Sequence, residues 1–312
     1  MKPIRIGTRG SKLALYQAHH VAALLQASGL PTETAIIETK GDKVLDVAIS
    51  KIGSKGVFTE ELENQLAEKK VDIAVHSAKD LPSRLPEGFE IVAFTEREKV
   101  NDVIISHKNP FPDLETSGPP LVLGTSSTRR IATLAYYYPQ VRTTDIRGNL
   151  QTRIAKMERG VCDGLLLAYA GVHRMGYDAL IQKELSLDEF IPAVGQGCIG
   201  VEAHRSLSPS LKEKIQTAVN HPATAICLQA ERSFLRVLEG GCSIPAFALA
   251  TWKGETLQLR GGLMQLEGKA RIYDAFQGSK EEAHSLGIKL AESILKKGGD
   301  KLLKEIKGTI NE

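Results

Sequence analysis

A short pattern that occurs twice limits what this chain can fold into. Ile4-Arg5-Ile6 reads as a strand, Gly7-Thr8-Arg9-Gly10 as a tight loop, and Ser11 as the N-cap of a helix from about Lys12 to Gln26. Leu121-Val122-Leu123 repeats the plan, with Gly124-Thr125-Ser126-Ser127 as the loop and a helix opening on Thr128-Arg129-Arg130. A second echo follows. The buried-strand run Val71–Val75 leads into His76-Ser77-Ala78-Lys79-Asp80, and Val161-Cys162-Asp163-Gly164 leads into Leu165–Ala170. Strand, glycine loop and helix in duplicate predict two α/β domains of shared plan facing each other across a cleft. Ligands of such sheets bind beyond the carboxyl ends of the strands. The free N–H groups and positive dipole end of each helix can hold an anion there.

The rest of the chain fits around this duplication. Ile36–Thr39 reads as the next strand, and Phe58–Lys69 and Asn149–Arg159 as amphipathic helices. Residues Lys40 to Gly56 are polar, glycine-rich and aperiodic, the character of a lid loop, with Lys51 and Lys55 in it. Glu96–Asn101 reads as a crossing to the second domain and Ile191–Gly197 as the return, with glycines and a proline suited to a hinge. Cys198–Ser206 then reads as a strand completing the first domain. From about Asn220 the pattern changes: a helix over Ala225–Leu238, strands near Ala246–Thr251, Thr256–Arg260 and Ala270–Phe276, and a final helix over Glu281–Lys297 stopped by Gly298-Gly299. That is a small α+β domain. The expected division is 1–97 with 197–217, then 98–196, then 218–312.

Charge is balanced, 40 basic against 37 acidic residues, which excludes an argument for nucleic acid from net charge alone. Its distribution is uneven. Seven arginines, 129, 130, 142, 147, 153, 159 and 174, lie in one stretch opposed there by Asp145, Glu158 and Asp163. Arginine grips planar carboxylates and phosphates through two parallel hydrogen bonds, and the alternative is a solvated basic face. No GxxxxGK[ST] loop exists and no GxGxxG follows the first strand, which argues against an ordinary nucleotide enzyme. The cysteines at 162, 198, 227 and 242 have no metal-ligand spacing and suit a reducing compartment. No signal-peptide pattern and no apolar run near the roughly 20 residues of a membrane span is found, so the cytoplasm is the expected location.

Glu239-Gly240-Gly241-Cys242-Ser243-Ile244-Pro245 sets a cysteine between glycines and a proline, just past a helix C-terminus. The pattern fits a presented thiol or a small buried apolar residue. A helix C-terminus disfavours a thiolate, which counts against a turnover nucleophile but not against an attachment point that reacts once. His76, taken alone, reads as a hydrogen-bonded core histidine. The residues by themselves leave three functions open: an enzyme with an anionic substrate, a non-catalytic polycarboxylate-binding module, or a cysteine hydrolase. The last needs a histidine base, and neither His204 nor His221 has the spacing for it.

Seven motifs in order narrow the choice. They are Gly7-Thr8-Arg9-Gly10-Ser11-Lys12-Leu13-Ala14, Gly53-Ser54-Lys55-Gly56-Val57-Phe58, His76-Ser77-Ala78-Lys79-Asp80-Leu81-Pro82, Gly124-Thr125-Ser126-Ser127-Thr128-Arg129-Arg130, Arg147-Gly148-Asn149, Pro192-Ala193-Val194-Gly195-Gln196-Gly197 and Glu239-Gly240-Gly241-Cys242. Together they resemble the porphobilinogen deaminase (hydroxymethylbilane synthase) family over essentially the whole chain. Ala78 and the Ser243-Ile244 pair depart from the family pattern without touching a charged position. The resemblance implies two type II periplasmic-binding-protein-like α/β domains around a cleft plus a small α+β C-terminal domain. It implies a monomeric transferase of tetrapyrrole (haem) biosynthesis that joins four porphobilinogen molecules head to tail with loss of ammonia. The product would pass to uroporphyrinogen-III synthase. Cys242 would carry a dipyrromethane cofactor through a thioether, with Lys79, Ser77, Ser127, Arg129, Arg130, Arg147 and Asn149 around it. Arg9, Ser11, Arg147, Arg153, Arg174 and Phe58 would bind substrate, with Lys51 and Lys55 in the lid. Asp80 would be catalytic, through its charge or as a general acid or base. No metal is implied.

Overall fold

The computed structural model describes residues 2–39, 59–115, 119–239 and 244–311. Phe58, Lys51, Lys55 and Cys242 lie outside them. In chain order the strands are β1 (Ile4–Thr8), β2 (Thr32–Ile36), β3 (Ile73–Ser77), β4 (Phe89–Phe94), β5 (Asp102–Ile105), β6 (Val122–Gly124), β7 (Arg142–Thr144), β8 (Gly164–Ala168), β9 (Ile181–Glu184), β10 (Ile199–His204), β11 (Ala246–Lys253), β12 (Thr256–Met264) and β13 (Arg271–Gly278). The α-helices are α1 (Lys12–Ala27), α2 (Glu60–Ala67), α3 (Thr128–Tyr137), α4 (Leu150–Glu158), α5 (Tyr169–Arg174), α6 (Pro209–Val219), α7 (Pro222–Val237), α8 (Ala283–Ile294) and α9 (Asp300–Asn311). Among the described residues no helix is long and apolar enough to cross a membrane.

The chain forms two compact units, Met1–Glu98 with Gly195–Leu228, and Lys99–Val194 with Gln229–Glu312. Each holds a five-stranded sheet, in the orders β2-β1-β3-β10-β4 and β7-β6-β8-β5-β9. In both, the first three strands run parallel and the fourth antiparallel to its neighbour. The duplication read from the two glycine loops is therefore a duplication of topology.

In the first unit the pleat sorts the strands by face. Ile73, Val75, Ile199, Val201 and Ala203 pack with Ala18 and Val21 of α1 and with α6. Ala74 faces the other way, onto Leu62 and Leu66 of α2. Ser11 caps α1 as expected, accepting from Ala14 N at 3.3 Å. The strand expected at Ile36–Thr39 sits earlier, at Thr32–Ile36, because β2 takes its register from β1, where Ile4 opposes Thr32.

The second unit also contains the three-stranded antiparallel sheet β11-β12-β13 and the helices after it. That sheet rests on α3. Phe247, Leu249 and Met264 share a core with Ala132 and Ile191. Arg271 stacks over Tyr137, Phe247 and Tyr273 with its carbon 4.9–5.6 Å from their centroids. Two expectations change here. Gly298-Gly299 do not end the chain's helical part: Gly298, at φ 104°, kinks it and α9 continues to Asn311. The helix before Cys242 stops at Val237, ahead of the glycines, and Glu239 takes a left-handed φ of 49°.

Candidate functional site

Residues Ala78–Asp80 form a single tight 3-10 turn at the end of β3. Two contacts fix it. Ala78 N donates to Cys198 O at 2.9 Å. Gly195, at φ 77°, passes so close that a Cβ there would stand 2.9 Å from the Ala78 carbonyl carbon and 3.0 Å from Lys79 N. Only glycine meets both conditions. The turn and the loop after β1 border an open pocket lined by Arg9, Ser11, Gln17, His76, Ser77 and Asp80 among others. Four expected site residues, Arg9, Ser11, Ser77 and Asp80, thus converge. Asp80 is exposed and Lys79 half-buried.

Gln17 was not among the expected site residues. It is buried on the inner face of α1 and donates to Ser77 Oγ at 2.9 Å. The signal was a polar residue on an otherwise apolar face with Ala18, Val21 and Leu25. His76 is a core residue as read, but not a satisfied one. Its Nε2 lies 3.0 Å from Glu202 Oε2, with 4% and 0% of the two side chains exposed. The groups are poorly aligned, and Nε2, both Glu202 oxygens and Glu63 Oε1 are buried without a hydrogen-bond partner among the described residues. Burial, and then the charge of Glu202, push the Glu63 carboxyl above its ordinary range.

In the second unit the candidate residues gather at helix starts. β6 and β7 run parallel, so their following loops are neighbours, tied by Thr125 N to Thr144 O at 3.0 Å and Ser126 Oγ to Ile146 O at 2.7 Å. This brings the loop ahead of α3, which ends in Ser127, against the loop ahead of α4, which leads to Arg147 and Asn149, with Arg153 following in α4. Asn149 caps α4 by accepting from Thr152 N at 2.9 Å. Ser127 stands at the N-cap position of α3 but makes no side-chain capping bond, unlike Ser11. Arg147 Nε reaches Asp145 Oδ2 at 2.8 Å, and Arg153 Nε donates to Gly148 O at 2.8 Å. Gly148, at φ 108°, leaves no room for a Cβ against Thr152. Burial opposes the charge of Asp145, but hydrogen bonds from Ser126 and Arg147 outweigh it and hold the carboxyl low. Arg174 ends α5, half-buried.

Arg129 and Arg130 are buried, not displayed. Both reach Asp102, the fully buried first residue of β5. Arg129 Nη2 is 2.8 Å from Oδ2, and Arg130 Nε and Nη2 are 3.0 and 2.7 Å from Oδ1. Arg129 also donates to Ile191 O and Arg130 to Leu166 O, each at 3.1 Å. Asp102 lies outside the 129–174 stretch, so a local charge count misses it.

Sequence models of two families match the chain: "Porphobilinogen deaminase, dipyromethane cofactor binding domain" over residues 4–211, and "Porphobilinogen deaminase, C-terminal domain" over residues 225–296. The chain belongs to the porphobilinogen deaminase family. The porphobilinogen deaminase of Desulfosudis oleivorans is 56% identical over 97% of this chain and 98% of its own. That of Cytophaga hutchinsonii is 55% identical over 98% and 97%. Among solved structures, a BvgS VFT2 domain double mutant from Bordetella pertussis is 16% identical, covers 69% of this chain and 85% of its own, and gives a TM-score of 0.43.

Two expectations follow for this family member. Asp102→Asn strips the buried counter-charge from two guanidinium groups and should cost about 3–5 kcal/mol in chemical denaturation; an unchanged midpoint would refute that role. Folding raises the Glu63 carboxyl above its ordinary 4.5. Stability from the protonated group is complete below that value and is lost as pH rises through the folded-state value. Glu63→Gln, neutral throughout, should therefore gain stability on the parent between acid and neutral pH. A gap between the two melting curves that does not change with pH would show otherwise.

Proposed function

We propose that the chain is a hydroxymethylbilane synthase that joins four porphobilinogen molecules head to tail, each with loss of ammonia, and releases the linear tetrapyrrole by hydrolysis. The observation that carries this reading is the convergence of Arg9, Ser11, Ser77 and Asp80 on one pocket in a chain of this family. Porphobilinogen carries an acetate and a propionate, so the growing chain accumulates carboxylates. Arg9 and Ser11 bind such a group at the open helix start of α1, where the dipole adds to their charge. Departure of ammonia leaves a cationic azafulvene, and attack by the next pyrrole again places positive charge on ring nitrogens. The exposed Asp80 carboxylate at the pocket stabilises that charge as it develops. Phe58 stacks on a ring, Lys51 and Lys55 belong to the lid, and Lys79 adds a donor next to Asp80.

Cys242 holds a dipyrromethane through a thioether, and that group supplies the pyrrole terminus on which the product is built. The second unit suits a polycarboxylate. Arg129 and Arg130 share one buried carboxylate, and Arg129 Nε is a buried donor without a partner among the described residues. Ser127, Arg147, Asn149, Arg153 and Arg174 complete the set. Glu239 and Ile244, which flank the described gap around Cys242, belong to the same unit. The chain divides into three domains at 1–97 with 197–217, 98–196 and 218–312, and the separate C-terminal family match over residues 225–296 supports the last of them. The enzyme works as a cytoplasmic monomer, and its product goes to uroporphyrinogen-III synthase.

Intact mass is the direct test. The purified protein should carry a surplus equal to two pyrrole units, and Cys242→Ser should fold without it. A bare chain in the parent protein would favour the polycarboxylate-binding module. Asp80→Asn should keep the surplus mass and lose about 100-fold or more in porphobilinogen turnover; a near-normal rate would remove Asp80 from the chemistry.

A further inference from the structure

The first unit buries a charged cluster that neither its fold nor the roles assigned above require. Glu63 comes from the inner face of α2, His76 from β3 and Glu202 from β10. Gly200 opposes His76 and Glu202 opposes Ala74, so Glu202 and His76 are diagonal neighbours on the sheet face that α2 covers. Exposures are 7%, 6% and 0%. Burying two carboxylates and an imidazole is costly, and leaving four of their polar atoms without partners adds to the cost. Replacing such a cluster with apolar side chains would stabilise the unit. The cluster lies beside the candidate site: His76 also lines the pocket that holds Asp80, Arg9 and Ser11.

We propose that His76 is the proton acceptor of the condensation step, with Glu202 and Glu63 as the residues that position it. This rests on the hydroxymethylbilane synthase reading and divides between two residues the tasks that reading leaves with Asp80. The Glu202 carboxylate against Nε2 favours the tautomer with hydrogen on Nε2 and leaves Nδ1 as the basic nitrogen. The poor alignment of that pair without a substrate is common for catalytic hydrogen bonds, which tighten in the complex. Burial, and then the charge of Glu202, push the Glu63 carboxyl above its ordinary range. The other charged groups nearby are Glu60 on α2, which acts on Glu63 through its charge, and Arg9, Lys79 and Asp80 at the strand end.

The step balances without a further reagent. The C–N bond of the protonated aminomethyl group of one porphobilinogen breaks, and nitrogen leaves with the electron pair as ammonia. The α-carbon of the chain's terminal ring forms the C–C bond to the methylene carbon. The α C–H bond then breaks, its electron pair returns to the ring, and His76 Nδ1 takes the proton. The released ammonia carries that proton away as ammonium. Asp80 keeps its charge throughout and stabilises the cationic ring.

The test compares the parent holoenzyme with His76→Gln and Glu202→Gln holoenzymes on ordinary and α-deuterated porphobilinogen. His76→Gln should lower kcat by about 100-fold or more with little change in KM. It should also expose a primary isotope effect on kcat larger than the parent's, because C–H cleavage then limits the rate. Glu202→Gln should show a smaller loss with the same isotope signature. A loss of kcat without an increased isotope effect, or a loss below about 10-fold in His76→Gln, overturns the proposal. Intact mass and a cooperative melt of each variant separate these results from misfolding or a missing cofactor. Turnover by the parent in the same assay checks the underlying reading, so failure of one is distinguishable from failure of the other.

Discussion

Asp102 is the residue on which the second unit turns. A carboxylate with no exposed surface is tolerable only when paired and hydrogen-bonded. Here two guanidinium groups from the first turn of α3 close on it, and they reach on to Leu166 O in β8 and to Ile191 O. One buried charge thus fixes where α3 begins relative to three other segments. The far end of α3 is held by a different force, the apolar and cation–π contacts of the C-terminal sheet through Phe247 and Arg271. The helix is pinned electrostatically at its N-terminal end and by packing at the other. That arrangement holds both guanidinium groups, and with them the first turn of α3, in one place.

The first unit solves a related problem by another route. Its polar residues stand at a strand end where the backbone turns sharply, and a glycine passing overhead allows the turn. Rigidity there comes from backbone contacts, chiefly Ala78 N to Cys198 O and the close approach of Gly195. Asp80 remains exposed while its position is set. The buried groups Glu63, His76 and Glu202 lie one layer beneath.

Local patterns made much of this visible in the sequence. The Gly-Thr loops, the Ser11 cap, the Leu62–Leu66 stripe and the three C-terminal strands are all short-range signals, and the structure holds them within a few residues. What was not legible depends on partners distant in sequence. No local signal pairs Asp102 with arginines 27 and 28 residues on. Glu63 looks like one more acid on the acidic helix Glu60–Ala67, although its turn faces inward. Glu202 did leave a trace, a charge inside the buried run Ile199–Ala203. Strands β4 and β5 escaped because their partners, β10 and β8, arrive much later. Arg129 and Arg130 were legible as a ligand-type pair but not as a buried one, since burial is a property of the packed unit.

The place of β10 has a further consequence. It lies between β3 and β4 in the first sheet, yet is made after the whole of the second sheet. During synthesis, β4 therefore cannot reach its final neighbour until Ile199–His204 has left the ribosome. The second five-stranded sheet has all its strands once Glu184 emerges. The first five-stranded sheet is begun first and completed after the second, and until then β3 and β4 wait with open edges that an N-terminal domain ordinarily does not have to protect.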